Sequence, residues 1–211
     1  MNLKVLLLIS LKNILKNNEV IHYFFVNTRN RRQAMRKVIV YIAMSIDGYI
    51  ATNSGDVSWL HGSDENNQSE YDSYGQFLET IDTVIMGNTT YQQVINELSP
   101  DKWAYQGLQS YVFSHHQQTS KEEIIFINTD PKVLIEKLKK EEGKHIWICG
   151  GANIIQQLHQ EKCIDEYHIT IIPTILGDGI ALFSKGVKTD VRLLKSIQDN
   201  GMIELRYKVE N

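Results

Sequence analysis

The sequence predicts an α/β domain whose central sheet is largely parallel, on the strength of two observations. From Lys37 onward, short apolar runs alternate with segments whose apolar residues recur at helical spacing, an order typical of parallel strands joined by helices. Near the end of the chain, residues 191–198 and 202–209 instead predict a β-hairpin that turns at Asp199-Asn200-Gly201. We therefore expect a sheet that carries helices on both faces and closes with antiparallel strands.

The strands are predicted from short apolar runs bounded by turn residues. Residues 38–44 are mostly apolar, which fits a strand buried on both faces. The other predicted strands before the hairpin are residues 83–86, 111–113, 124–127, 145–148 and 166–172. Ligands of such sheets bind beyond the carboxyl ends of the strands. The loops that follow the first, second, third and fifth predicted strands should therefore converge on one site.

Four helices are predicted between these strands. Residues 71–81 place apolar side chains at the spacing of one buried face. Residues 89–98 form the next helix, which Pro100 prevents from continuing. The third opens at Asp130-Pro131, an N-cap followed by a first-turn proline, and Gly143 closes it. Residues 153–159 form the last helix.

Length, composition and charge narrow the function classes. A chain of 211 residues, 42% hydrophobic and 22% charged, is typical of one globular domain. The net charge of −3 gives no electrostatic reason to expect a nucleic acid or a membrane as partner. Cys149 and Cys163 form no ligand cluster, and the histidines have no ligand spacing, so we expect reduced thiols, no metal and a cytoplasmic location. The expected partner is a small-molecule substrate, and the sequence does not decide whether the protein forms a homodimer.

The first 35 residues differ from the rest of the chain. Residues 1–16 are rich in Leu and Ile with interspersed Lys, which suggests a signal peptide. Two further lysines and the lack of a small-residue cleavage site favour an N-terminal extension instead, with Met35 as a natural start. We expect residues 1–35 to lie outside the core, and residues 36–211 to form one reductase-like domain.

The most informative motif is Cys149-Gly150-Gly151-Ala152-Asn153, which lies between a predicted strand and a predicted helix. Glycines at such a turn let the backbone approach a ligand closely, and the new helix offers free N–H groups and a positive dipole end. These features suit a pyrophosphate. The same motif is also compatible with a tight turn that binds nothing.

Four motifs in order resemble the dihydrofolate reductase-like superfamily. They are residues 42–51 (IAMSIDGYIA), 84–91 (VIMGNTTY), 149–151 (CGG) and the stretch 165–183 with its Leu176-Gly177-Asp178-Gly179 loop. The last of them is more similar to the reductase domain of riboflavin biosynthesis than to classical dihydrofolate reductase. The subfamily that this chain most resembles is that of small, stand-alone bacterial reductase-like proteins. The resemblance covers about Arg36 to Val209 and implies a three-layer α/β fold.

The resemblance implies NADPH as cofactor, with NADH also open. The residues it implies for cofactor binding are Ala43, Ile50, Gly87, Asn88, Thr89, Thr90, Ser114, His115, Cys149, Gly150, Gly151, Ala152 and Asn153. Hydroxyl and N–H groups at Thr89 and Thr90 suit phosphate, although helix capping explains them as well. Ser114 and His115 would lie near the adenosine 2′-phosphate. The family usually has Arg where this chain has Asn88, so a preference for NADPH over NADH is not assured.

On the substrate side the resemblance implies Asp47, Trp59 and Asp72 as catalytic candidates. Trp59 would sit where cofactor and substrate meet, and packing in the core is the alternative. Asp47 would bind substrate or cap the turn with Gly48. Asp72 and Glu70 are the candidates for the acidic residue that secures a pterin, although a solvated helix face explains either of them.

The expected function is hydride transfer from NADPH to a small pterin- or pyrimidine-like substrate, similar to 5-amino-6-(5-phosphoribosylamino)uracil reductase. The cofactor carries the chemistry and the fold orients it, while a proton comes from an acid such as Asp72 or from water. Two alternatives stay open. One is dihydrofolate reductase activity, and the other is a non-catalytic nucleotide-binding or sensing protein on the same fold.

Overall fold

The computed structural model describes residues 35–63, 72–116, 118–184 and 186–210. The strands are β1 Val38–Ser45, β2 Tyr49–Ala51, β3 Ile81–Gly87, β4 Gln109–Phe113, β5 Ile124–Ile127, β6 His145–Gly150, β7 Glu166–Ile172, β8 Ile180–Ala181, β9 Val191–Asp199 and β10 Met202–Val209. The helices are α1 Ser73–Glu79, α2 Asn88–Gln93, α3 Pro131–Leu138 and α4 Ala152–Gln160, and a π-helical segment, Val94–Leu98, continues α2.

One eight-stranded sheet runs in the order β5-β4-β3-β6-β1-β7-β10-β9. Strands β5, β4, β3, β6, β1 and β7 pair in parallel, whereas β10 pairs antiparallel with both β7 and β9. The hairpin turn places Asn200 and Gly201 at positive φ, as the favoured two-residue turns require. The predicted fold class is therefore confirmed, because a largely parallel sheet ends in an antiparallel hairpin.

Alternating side chains of the strands supply two separate cores. Val38 and Val40 of β1 pack toward α3 and α4, where Ile135 and Ile155 are buried. Ile39 lies on the other face of the sheet with Phe77 of α1 and Tyr91 of α2. Helices thus cover both faces, and the carboxyl ends of β1, β3, β4 and β6 meet at one edge of the sheet.

The boundaries of two helices differ from the prediction. Helix α1 ends at Glu79, because Ile81 begins β3, where it pairs with His145 of β6. Ile81 fits either a helix face or a strand, and the pairing of strands decides between them. Helix α3 ends at Leu138, five residues before Gly143, because the residues between them are largely exposed and Leu138 is its last buried side chain.

Strands β2 and β8 form a small second sheet that the sequence analysis did not predict. Its strands have three and two residues, too few for an alternating pattern to be recognised. Among the described residues, no helix is long and apolar enough to cross a membrane. The predicted extension falls on residues that, apart from Met35, lie outside those the structure describes.

Candidate active site

Two glycine turns lie side by side at the carboxyl ends of β3 and β6. A β-carbon on Gly87 would lie 3.9 Å from the backbone nitrogen of Gly151, and one on Gly151 would lie 3.3 Å from Oγ1 of Thr90. Gly150 has a φ of +129°, which favours glycine, and its peptide bond to Gly151 is cis. The absence of side chains therefore lets two strand-to-helix turns approach one another at the predicted phosphate site.

Each glycine turn leads directly into a helix. Gly87 is the N-cap of α2 and Gly151 is the N-cap of α4, and neither helix start receives a side-chain capping bond. The first N–H groups of a helix have no partner within it, so they can donate to an anion. Thr89, Ala152 and Asn153 follow in the first turns, where Asn153 accepts a hydrogen bond from Gln157.

A third loop joins this group of residues after β4. Gln118 donates to Oδ1 of Asn88 at 2.8 Å and to Oγ of Ser114 at 3.1 Å, so the loops after β3 and β4 are linked. The hydroxyl of Ser114 is also engaged within its own loop, because it donates to the carbonyl oxygen of His116 at 2.9 Å. The structure thus brings Asn88 and Ser114 together through Gln118.

A cleft of about 300 Å³ opens beside this linked pair of loops. Its lining includes Ser114, His115, Gln118 and Phe126. His115 is exposed, whereas Ser114 is buried. An aromatic side chain, an imidazole and neutral hydrogen-bonding groups can contact a planar base and a phosphate. The bond from Gln118 to Asn88 connects the cleft to the turn at Gly87.

Asp47 links the loop after β1 to the loop after β7 through hydrogen bonds. Its carboxylate accepts hydrogen bonds from Oγ of Ser45 at 2.6 Å, from the nitrogen of Leu176 at 3.1 Å and from the nitrogen of Gly177 at 2.7 Å. The bond from Ser45, with those from the two backbone groups, lowers the pKa of Asp47. The observed contacts are those of a loop brace, and its assignment to substrate binding stays a prediction.

The other two catalytic candidates also have structural partners. Trp59 is 9% exposed, and its indole N–H donates to the carbonyl oxygen of Asp56 at 3.3 Å. Asp72 is the N-cap of α1 and accepts a hydrogen bond from the nitrogen of Gly75 at 2.7 Å. Packing and capping explain these positions without a ligand, so their catalytic roles stay predictions. Glu70 lies outside the described residues.

A buried carboxylate that the sequence analysis missed lies under α1. Glu204 of β10 accepts hydrogen bonds from the hydroxyl of Tyr41 at 3.0 Å, from Nε of Arg206 at 2.5 Å and from Oγ of Ser73. Burial raises the pKa of Glu204, but the bonds from Ser73 and Arg206 outweigh it and leave that pKa lowered. Glu204 is thus an ionised, fully engaged acceptor.

Cys149 and Ala43 lie near the glycine turns, on the face of the sheet that α1 covers. Ile39 of β1 is in register with Trp147 of β6, so Cys149 and Ala43 lie further along the same face toward the glycine turns. Sγ of Cys149 lies 3.3 Å from the hydroxyl of Tyr105, and burial raises the pKa of the thiol to about 11. Ile50 of β2 packs against the core on the opposite face. Because its pKa is raised, the Cys149 thiol next to the glycine turn is neutral at physiological pH.

The described part of the chain holds no group of three His, Cys, Asp or Glu side chains able to bind a metal ion. The candidate site combines two glycine turns, the starts of two helices and a cleft. Such a combination suits an organic ligand that carries phosphate.

Comparisons with known proteins point to one family. The family model for the RibD C-terminal domain matches residues 36–203. YwjB of Bacillus subtilis, an uncharacterized protein, is 38% identical over 174 residues, which cover 82% of this chain and 97% of the relative. Riboflavin biosynthesis protein RibD of Haemophilus influenzae is 27% identical over 187 residues, which cover 71% of this chain and half of that longer protein.

A solved structure agrees with these sequence matches. The crystal structure of a "putative riboflavin biosynthesis protein" from Shewanella sp. PV-4 has a TM-score of 0.70 and 27% identity, over 83% of this chain and 99% of that one. The resemblance inferred from the four motifs is thereby confirmed. The chain belongs to the RibD C-terminal domain family, the reductase-like domains of riboflavin biosynthesis.

Proposed function

We propose that the protein is an NAD(P)H-dependent reductase that acts on a small pterin- or pyrimidine-like substrate. The observation that carries the proposal is the close approach of the Gly87 and Gly151 turns, each at the start of a helix without a side-chain cap. Membership of a reductase-like family supports the same reaction class. The cofactor and the substrate are inferences from this geometry and from the family.

The residues at the turns fit a dinucleotide. Backbone N–H groups of α2 and α4 would donate to its pyrophosphate, because the neighbouring glycines leave room for it. Oγ1 of Thr90, next to Gly151, would add a hydroxyl donor. The cleft lined by His115 and Phe126 would receive the adenosine half.

The reduced nicotinamide, when bound, supplies the hydride. This chain's own contribution is to orient the reactants and exclude water, which the largely half-buried strand ends of β1 and β6 can do. A proton is also required. The contacts of Asp47, Asp72 and Glu204 leave them as engaged acceptors, so we propose that water delivers the proton.

The hydrogen bonds that already occupy Asp47, Asp72 and Glu204 also favour a second candidate function. A protein that binds a nucleotide and senses it needs the glycine turns but no proton donor. Dihydrofolate reduction has less support than either candidate, because Asp72 caps α1 instead of standing free for a pterin.

Titration of the protein with NADPH and with NADH tests both candidates. Quenching of tryptophan fluorescence measures the binding. Oxidation of each bound cofactor is then measured with pterins and with 5-amino-6-(5-phosphoribosylamino)uracil. Binding with turnover supports the reductase, and binding without turnover on any compound supports the sensor. If neither cofactor binds, both candidates are wrong.

A further inference from the structure

The α1 face of the sheet is rich in aromatic rings beside the candidate site. Tyr41, Tyr74, Tyr105 and Trp147 form what we term the aromatic surface. Tyr105 meets Trp147 edge to face with ring centroids 5.1 Å apart, and Tyr74 meets it with centroids 6.1 Å apart. Such rings attract a flat, apolar partner by stacked or edge-to-face contact.

The aromatic surface is accessible in part, because its Trp147 is buried beneath the tyrosines, and it adjoins the glycine turn. Tyr74 is 41% exposed, and Tyr41 and Tyr105 are half-buried. The hydroxyl of Tyr105 contacts Cys149, whose chain neighbour is the turn glycine Gly150. A substrate that meets the cofactor at this turn would therefore lie against the aromatic surface.

Positive charge is scarce along the segments that build this face. No Lys or Arg occurs between Lys37 and Lys102, a stretch that includes β1, the loop after it, α1, β3 and α2. Acidic residues recur in the same stretch, among them the exposed Asp56 and Asp101. Lys and Arg are the usual partners of phosphate, and Arg binds it through two donors at once.

Arg206, whose charge acts on Tyr41 of the aromatic surface, has other partners. Arg206 donates to Glu204 at 2.5 Å and to Ser73 at 2.8 Å, so its charge is matched beside α1. Lys37 pairs with Glu166 at 2.7 Å, at the amino end of β1. Lys102 is the single Lys or Arg in the loop between the π-helical segment and β4.

We propose that this face selects a flat, uncharged heteroaromatic substrate that carries no phosphate. The inference rests on the proposed function, since it names the substrate class of the same site. It sets this chain apart from an enzyme whose substrate has a phosphoribosyl group. The dinucleotide phosphates are not affected, because backbone N–H groups at the glycine turns would receive them.

Two matched pairs of probes test the proposal. The first is 5-amino-6-(5-phosphoribosylamino)uracil and its dephosphorylated form, and the second is 6-hydroxymethylpterin and its phosphate. Binding to the full chain is measured by calorimetry, without cofactor and again with NADPH present. We expect at least one unphosphorylated compound to bind about tenfold more tightly than its phosphorylated partner. Equal or tighter binding of the phosphorylated compound, or no binding by any probe, would overturn the proposal.

Salt dependence separates repulsion from simple lack of fit. If acidic residues between Lys37 and Lys102 repel phosphate, raising the salt from about 20 to about 500 mM should strengthen binding of the phosphorylated compound and leave its partner nearly unchanged. A cationic site would show the opposite trend. Lys102→Ala should alter neither affinity, and a selective loss for the phosphorylated compound would identify a phosphate site and contradict the proposal.

Variants of Tyr74 test the aromatic contact. Its exposed ring makes Tyr74→Ala compatible with folding, and Tyr74→Phe is the matched control that keeps the ring. We expect Tyr74→Ala to weaken binding of the unphosphorylated compound about fivefold, and Tyr74→Phe to leave it unchanged. Equal effects of the two variants would show that the ring does not contact the substrate. The proposed reductase function is tested separately, and it is wrong if the unaltered protein neither binds nor oxidises NADPH.

Discussion

The hydroxyl oxygen of Thr90 lies 3.3 Å from the position that a β-carbon on Gly151 would occupy. The two residues belong to different strand-to-helix turns, so the space between them depends on both turns. A ligand bound there would compete with any side chain placed at position 151.

Gly151→Val should weaken NADPH binding at least about tenfold, or roughly 1.4 kcal/mol, because the side chain would occupy the proposed pyrophosphate site. Calorimetric titration measures the affinity, and thermal unfolding reports whether the fold is kept. Unchanged affinity would remove the central claim of the proposed function.

A double variant separates obstruction of the ligand from strain in the protein. Thr90→Ala removes the oxygen that a β-carbon on Gly151 would approach, so Gly151→Ala with Thr90→Ala should unfold at the same temperature as Thr90→Ala alone. Its NADPH affinity should nevertheless stay below that of Thr90→Ala. Recovery of that affinity would mean that Gly151 matters for packing only.

The fold and the glycine turns could be predicted from the sequence because their signals are local. Apolar runs mark the strands, and paired glycines mark the turn between β6 and α4. Pro131 and Asp130 likewise mark the start of α3, where Asp130 accepts a hydrogen bond from the nitrogen of Lys132. These features depend on residues a few positions apart.

The buried carboxylate under α1 could not be predicted in this way. Glu204 and Ser73 are 131 positions apart, and only the pairing of β10 with β7 brings Glu204 beneath the helix. Asp72, which precedes Ser73, attracts attention as an acid near a helix start, but a capping residue has the same signal. The sequence analysis therefore named Asp72 and Glu70 and missed the buried Glu204.

Asn88→Arg should raise affinity for NADPH and leave affinity for NADH nearly unchanged. A guanidinium would make charge-assisted bonds to the 2′-phosphate, whereas Asn88 offers neutral donors and is linked to the β4 loop through Gln118. The gain should shrink with added salt. Dissociation constants of both cofactors for both proteins at two salt concentrations provide the check. If both cofactors change equally, position 88 does not contact the 2′-phosphate.

A chain that begins at Met35 should unfold at the same temperature as the full chain. It keeps Arg36, whose buried guanidinium donates to Thr83 at 2.7 Å, to the carbonyl oxygen of Lys144 at 2.7 Å and to Asp82. In contrast, Arg36→Ala in the full chain should cost about 1–3 kcal/mol of unfolding free energy, because the acceptors of its buried guanidinium lose their donor. A large drop in stability on truncation would show that residues 1–34 contribute to the fold.

The stability of the protein should depend on the ionisation of Glu166 in acid. Glu166 is buried, accepts a hydrogen bond from Nζ of Lys37 at 2.7 Å and lies 3.1 Å from Nε2 of His168. Burial raises the pKa of Glu166, but the bonds from His168 and Lys37 outweigh it and lower that pKa from 4.5 to about 2. A carboxyl group with a lowered pKa in the folded protein stabilises it above pH 4.5, and this contribution is lost as the pH falls toward about 2.

Glu166→Gln should therefore lower the unfolding free energy by about 1–3 kcal/mol at neutral pH, the range for hydrogen bonds to charged groups. The difference from the unaltered protein should narrow below pH 4.5 and disappear near pH 2, as measured by denaturant unfolding across that range. Glu210→Gln is the matched control, because the exposed pair of Arg192 and Glu210 should contribute less than about 1 kcal/mol. A constant difference at every pH would show that Glu166 contributes through packing rather than charge.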